Sequence, residues 1–213
     1  MNRSKRLEDL SNEIFLEIFD YFHALDLCIS FTSLNQRITC ILNTIPLRVV
    51  IGRSHSRRQI DLLSSYLQFE AHQVISLKIS DRIFDHPSII SVLFHRHKFI
   101  NLRFCSFTCI DQCHVIQQIK SLDNLVSFTI NQTLPNKLDE KLIHRLFKSI
   151  LLHKSPYLRS LQIHLFSSQY FSPFHLVPSI LRLCHSLQYF DLTLECEELF
   201  TSDFGRSLFQ RIP

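Results

Sequence analysis

The chain reads as an α/β protein, with a short all-helical unit over residues 1–45 followed by alternating strand and helix segments over 46–213. Three observations lead there. Residues 12–22 are apolar almost throughout, apart from one acidic stripe, Glu13, Glu17 and Asp20, at helical spacing. Five later segments share the pattern apolar-x-x-apolar-x-apolar, begin 25, 26, 33 and 29 residues apart, and alternate with segments of helical apolar spacing. Hydrophobic residues make up 46% of the 213, enough for a substantial core.

In the first helix Ile14, Phe15, Leu16, Ile18, Phe19, Tyr21 and Phe22 occupy nearly every position off the acidic stripe. One apolar face can meet its own domain, and another is left over. A helical unit of about 40 residues rarely buries enough surface to stand alone, so the surplus face predicts a partner or a covering domain. A second segment opens at Ala24-Leu25-Asp26-Leu27 and a third ends at Leu42.

The order Leu10, Glu13-Ile14, Ile18-Phe19, Tyr21-Phe22, then Leu25-Asp26-Leu27 and a third short helix, resembles the F-box motif over residues 7–42. Asn35 and Arg37 resemble the polar turn and basic residue before its third helix. The motif's usual proline is Ser11 here, and its Val-Cys pair and later Trp are replaced by Thr32-Ser33-Leu34 and Ile38. Serine and proline both suit a helix start, the one by capping and the other by its preset φ. The resemblance implies a non-catalytic subunit that docks on the Skp-type adaptor of a cullin ubiquitin ligase. The docking residues it implies are Leu10, Ile14, Ile18, Phe19, Leu25, Asp26, Leu27, Phe31, Leu34 and Ile38.

The five extended segments start at Val74, Phe99, Leu125, Leu158 and Leu187, with 47–51 as a degenerate first copy. Period 2 points Leu77/Ile79, Leu102/Phe104, Phe128/Ile130, Leu161/Ile163 and Phe190/Leu192 inward. Between them, 88–95, 114–119, 140–152 and 176–183 have helical spacing, clearest at Leu142, Ile143, Leu146, Phe147 and Ile150. Strand, loop, helix and loop at this period resembles a leucine-rich repeat of the kind that often follows an F-box, and implies a solenoid.

The solenoid is expected to be short and irregular. That family's turn-forming Asn or Cys would fall near Arg82, Phe107, Thr133, Phe166 and Glu195, and none fits. With two glycines, Gly52 and Gly205, turns must rest on Asp81, Asp111, Pro135-Asn136 and Pro173. A last helix at 203–211 is either a terminal cap or the point where a longer chain has been cut. Of the outward strand residues Ser76, Lys78, Asn101, Arg103, Ser127, Thr129, Ser160, Gln162, Tyr189 and Asp191, the candidate target contacts are Lys78, Arg103, Thr129, Gln162, Tyr189 and Asp191.

Two glycines cannot build a phosphate-cradling loop, no nucleophile elbow occurs, and twelve histidines are scattered without favouring one base. Cys105, Cys109 and Cys113 with His114 are the best metal candidate, but the close cysteine pairs of zinc motifs are lacking. They read as free thiols, and neither metal nor cofactor is expected. His95 and His97 read as cations capping a helix end. Seven cysteines, a charged start at Met1-Asn2-Arg3-Ser4-Lys5-Arg6 and no apolar run of membrane length predict a reduced, cytoplasmic or nuclear protein with no membrane contact.

Residues 1–45 hold four Lys/Arg against six Asp/Glu, and the remainder holds nineteen against thirteen. The densest basic cluster, Arg53, His55, Arg57 and Arg58, reads as a solvated loop and helix start, so nucleic acid is not an expected partner. The expected function is therefore substrate recognition for a Skp-cullin ligase, with an unidentified target protein on the strand region. The alternative is a protein- or RNA-binding scaffold whose N-terminal helices only cap it.

Overall fold

The computed structural model describes residues 7–32, 34–52, 54–80, 89–108, 122–133, 157–167 and 187–196. Three short helices come first: α1 (Asn12–Asp20), α2 (Ala24–Phe31) and α3 (Gln36–Leu42). Ser11 precedes α1 in extended conformation without accepting a backbone cap bond. Its hydroxyl bonds the Glu13 side chain instead and, with that residue's own backbone amide, holds the carboxyl below its ordinary range. Asn35 does cap α3, its Oδ1 accepting from the Ile38 amide at 2.9 Å.

The chain then enters β1 (Leu47–Ile51) and crosses over through α4 (Arg57–Glu70) to β2 (Val74–Ser80). A reciprocal capping box starts α4: the Gln59 amide donates to Ser56 Oγ, and the Ser56 amide donates to Gln59 Oε1 at 2.8 Å. Ile60, Leu63, Ser64 and Leu67 are its buried stripe. Next come α5 (Ile89–Arg96), β3 (Phe104–Thr108), β4 (Ser127–Thr133), β5 (Ser160–Ser167) and β6 (Tyr189–Cys196).

The strands form one six-stranded, all-parallel sheet in chain order, β1-β2-β3-β4-β5-β6. Two buried rows cross it in register. One is Val49, Leu77, Cys105, Phe128, Leu161 and Phe190; the other begins Ile51, Ile79, Phe107, Ile130 and Ile163 and ends at the half-buried Leu192. Leu63 and Leu67 of α4 and Ile89, Ile90 and Leu93 of α5 join these rows in a single core, which runs without a break to Phe15, Phe19 and Phe31 of the first helices.

The fold expected from the sequence needs correcting. The described residues make an α/β fold with an open parallel sheet and short N-terminal helices, and no solenoid is shown. Any parallel pair needs a crossover of a dozen or more residues, usually helical, so a spacing of 25 to 33 residues belongs to parallel sheets in general. The helices expected at 114–119, 140–152, 176–183 and 203–211, and the turns at Asp81, Asp111, Pro135-Asn136 and Pro173, lie outside the described residues.

One strand register also differs. The sequence pattern points Leu102 and Phe104 inward from a strand starting near Phe99. In the structure β3 begins at Phe104, which is 43% exposed, while Cys105 and Phe107 face the core. Leu102 is buried, but ahead of the strand, at the position that Leu125, Leu158 and Leu187 fill before β4, β5 and β6. Phe99, Leu102, Phe104 and Phe107 offer two overlapping readings of one pattern, and only pairing with Ser76 and Leu77 of β2 chooses between them.

His97, expected to serve as a cation at the helix end, is buried directly after α5, with its Nε2 3.0 Å from Ser64 Oγ on α4. Burial, and secondarily the charge of Arg96, push its pKa below the usual 6.5. A neutral ring bonded to serine ties the two crossover helices together.

Phe107→Ala should cost about 3–5 kcal/mol in urea denaturation and Phe104→Ala less than about 1, the reverse of the order that the sequence register implies. At His97 the unfolded chain binds more protons than the folded one below pH 6.5, so stability is full above that pH and is lost as the pH falls through the depressed folded value. Urea midpoints measured from pH 7.5 to 5 should fall more steeply for the parent chain than for His97→Gln.

Candidate interaction surfaces

The three N-terminal helices divide their apolar residues between two duties. Phe19, Leu25, Leu27, Phe31 and Ile38, all expected to meet an adaptor, are buried and serve the core. Leu10 and Ile18 are half-buried against it, and Ile14, Asp26 and Leu34 are exposed. Leu16 and Ile29, assigned no docking role from the sequence, are also exposed, and Tyr21, matched by the resemblance to the core of the first helix, is 88% exposed. The exterior of the unit thus carries Ile14, Leu16, Tyr21, Ile29 and Leu34 among its exposed polar residues.

Arg37 closes this unit. Its Nε donates to Asn12 Oδ1 at 2.8 Å, a terminal guanidinium nitrogen donates to the Leu10 carbonyl at 2.6 Å, and the guanidinium lies 5.6 Å from the Phe15 ring centre. It fastens α3 to the start of α1. Arg48 of β1 makes the corresponding tie at the other end of α1, donating to the Asp20 carbonyl at 3.1 Å.

A second surface is the face of the sheet away from α4 and α5. Its central row reads Val50, Lys78, Ser106, Thr129, Gln162 and Asp191, and the row before it Arg48, Ser76, Phe104, Ser127, Ser160 and Tyr189. Five of the six expected target contacts, Lys78, Thr129, Gln162, Tyr189 and Asp191, therefore share this face. They differ in availability. Lys78 and Tyr189 are exposed. Thr129 donates to Gln162 Oε1 at 3.0 Å. Asp191 is 8% exposed and accepts from Thr193 Oγ1 at 3.1 Å, with His164 Nε2 3.8 Å away.

Arg103, the sixth, is elsewhere. It precedes β3 on the rim formed by the amino ends of the strands, where its amide donates to the Ile75 carbonyl and its own carbonyl accepts from the amides of Val126 and Ser127. Sequence reasoning placed it on the face because of the β3 register. On the same rim Asn101 Nδ2 donates to the His72 carbonyl and Asn124 Nδ2 to the Ile100 carbonyl, both at 2.7 Å, each amide bonding back to the segment before the preceding strand.

Gln73 holds the equivalent place before β2. It is buried, yet neither its Oε1 nor its Nε2 has a partner among the described residues. A desolvated amide without partners costs about 1–3 kcal/mol. These residues line a trough of about 660 Å³ with Asn43, Thr44, Arg103, Val126 and Tyr157. The trough was not foreseen; the only signal is an amide residue directly before a buried Val or Leu, in Gln73-Val74, Asn101-Leu102 and Asn124-Leu125.

Cys105 is buried in β3 and desolvation raises its thiol well above the ordinary range, while Cys109, Cys113 and His114 lie outside the described residues. Among the described residues no cluster of His, Cys, Asp or Glu could hold a metal ion, and no helix is long and apolar enough to cross a membrane. No family model and no curated protein matches the chain.

Arg37→Ala should lower stability by about 1 kcal/mol, the charge-assisted bonds being partly screened by water, and Arg37→Lys should recover little because an ammonium cannot reproduce the guanidinium's two divergent bonds. Thermal melts of the two variants would check both statements.

Proposed function

We propose that the chain is a receptor subunit which docks on a Skp-type adaptor of a cullin ubiquitin ligase through its N-terminal helices and holds a target protein on its parallel sheet. The observation that carries this reading is the uncovered apolar set Ile14, Leu16, Tyr21, Ile29 and Leu34 on helices whose residue order resembles the F-box. Apolar side chains left exposed on a unit already packed to its own domain are the kind of surface that a second protein covers. The sheet face opposite α4 and α5, which bears the exposed Lys78 and Tyr189, supports the other half.

Mechanism in such a receptor is proximity. Such a receptor needs no reacting group of its own; it converts the encounter between a target lysine and the ubiquitin carrier into a tethered event, so rate is gained through effective concentration. If both surfaces are used, the continuous core that joins the first helices to the sheet would hold them at a fixed separation and so limit the lysines within reach.

A second reading makes the chain a binding scaffold whose first helices only cap the sheet. It is favoured by Phe19, Leu25, Leu27, Phe31 and Ile38 entering the same core as β1 and α4. Co-elution of the purified chain with the Skp adaptor in size-exclusion chromatography separates the two. Ile14→Asp and Ile29→Asp should each abolish it while leaving the melting temperature unchanged, because both side chains are exposed. A charge at Leu27, buried at 2% exposure, would unfold the chain and test nothing. Failure of the parent chain to co-elute, or co-elution surviving both charges, favours the scaffold.

A further inference from the structure

We infer that the trough along the amino ends of the strands binds an extended, acidic peptide segment of a partner protein. Its length is set by the sheet. From the Asn43–Pro46 segment before β1 to Tyr157 before β5 it crosses four inter-strand steps, roughly 19 Å at the ordinary strand spacing. An extended peptide of about six residues fills that distance.

Its chemistry is set by the lining. Asn43, Asn101 and Asn124 offer amides of the kind that bond a peptide backbone, and no described lining residue carries a carboxylate. The Asn101 and Asn124 amides each spend their nitrogen on the rim and keep their oxygens unpartnered among the described residues. Gln73 keeps both of its polar atoms unpartnered among the described residues.

Arg103 decides the sign of the ligand. It is exposed, it has no ion pair among the described residues, and its guanidinium rests 6.0 Å from the Phe104 ring centre. A guanidinium held on an aromatic face at the edge of a carboxylate-free trough is preorganised for a forked bond to Asp or Glu. Tyr157 adds an amphipathic wall at the far end. The inference requires neither the adaptor nor a ligase, so it stands or falls separately from the proposal above.

The test is selection of random peptides of about seven residues from a display library on the full purified chain, followed by fluorescence polarisation of the enriched peptides. Peptides rich in Asp or Glu are expected, with affinity reduced about tenfold or more by Arg103→Glu and unaffected by Lys78→Glu, an equal charge change on the open face. Arg103 takes part in the fold through its backbone, so the variant should melt with the parent chain. Gln73→Leu should raise stability, because it removes an unpartnered buried amide, and should leave affinity for the same peptides unchanged, because that amide is shut off from the trough. Enrichment without acidic residues, no enrichment, equal loss in Lys78→Glu, or a fluorescein-labelled single-stranded RNA that competes for the Arg103-dependent site would each overturn the assignment.

Discussion

Everything in this molecule depends on the register between parallel strands. Two buried rows run straight across the sheet, from Val49 to Phe190 and from Ile51 to Leu192, and every buried member sits directly beside its neighbour on the next strand. A slip of one residue would send a strand's apolar side chains to the open face and its Ser, Thr and Lys into the core. Edge-on rings reinforce the register where aromatic residues meet, as at Phe107 and Phe128, with centres 5.7 Å apart.

The same register organises the exterior. Once Leu77, Cys105, Phe128, Leu161 and Phe190 are aligned within, Lys78, Ser106, Thr129, Gln162 and Asp191 are aligned without, and the residues that lead into each strand fall together on one rim. Both candidate surfaces of the sheet are consequences of packing, and their polar character follows from what the core excludes. Asp191 shows the limit of that argument: it belongs to the outer face by period, yet Thr193 and His164 hold it and little of it is left to offer a partner.

The N-terminal helices are joined to this frame by the same apolar residues that carry their resemblance to the F-box. Leu25, Leu27 and Ile38 pack inward, so the features that suggest a docking module also describe a good cap. What distinguishes the two roles is the remainder, Ile14, Tyr21, Ile29 and Leu34, which the core does not use. Helical spacing reveals that there is apolar residue to spare, but the face turned outward is fixed by where α3 and β1 lie, with Arg37 and Arg48 as the fasteners.

Sequence by itself determined the α/β class, the three short helices before the first strand, and four of the strand registers, because periods of 2 and 3.6 and the Asn35 and Ser56 caps act over a few neighbouring residues. It also brought Lys78, Thr129, Gln162, Tyr189 and Asp191 to one face, since alternation along each strand is a local rule. Tertiary structure alone decided the form of the sheet, the β3 register, the burial of His97 against Ser64, and the rim that carries Arg103 beside Gln73. Each of these joins groups more than twenty residues apart in the chain, between which spacing carries no information until the strands have paired.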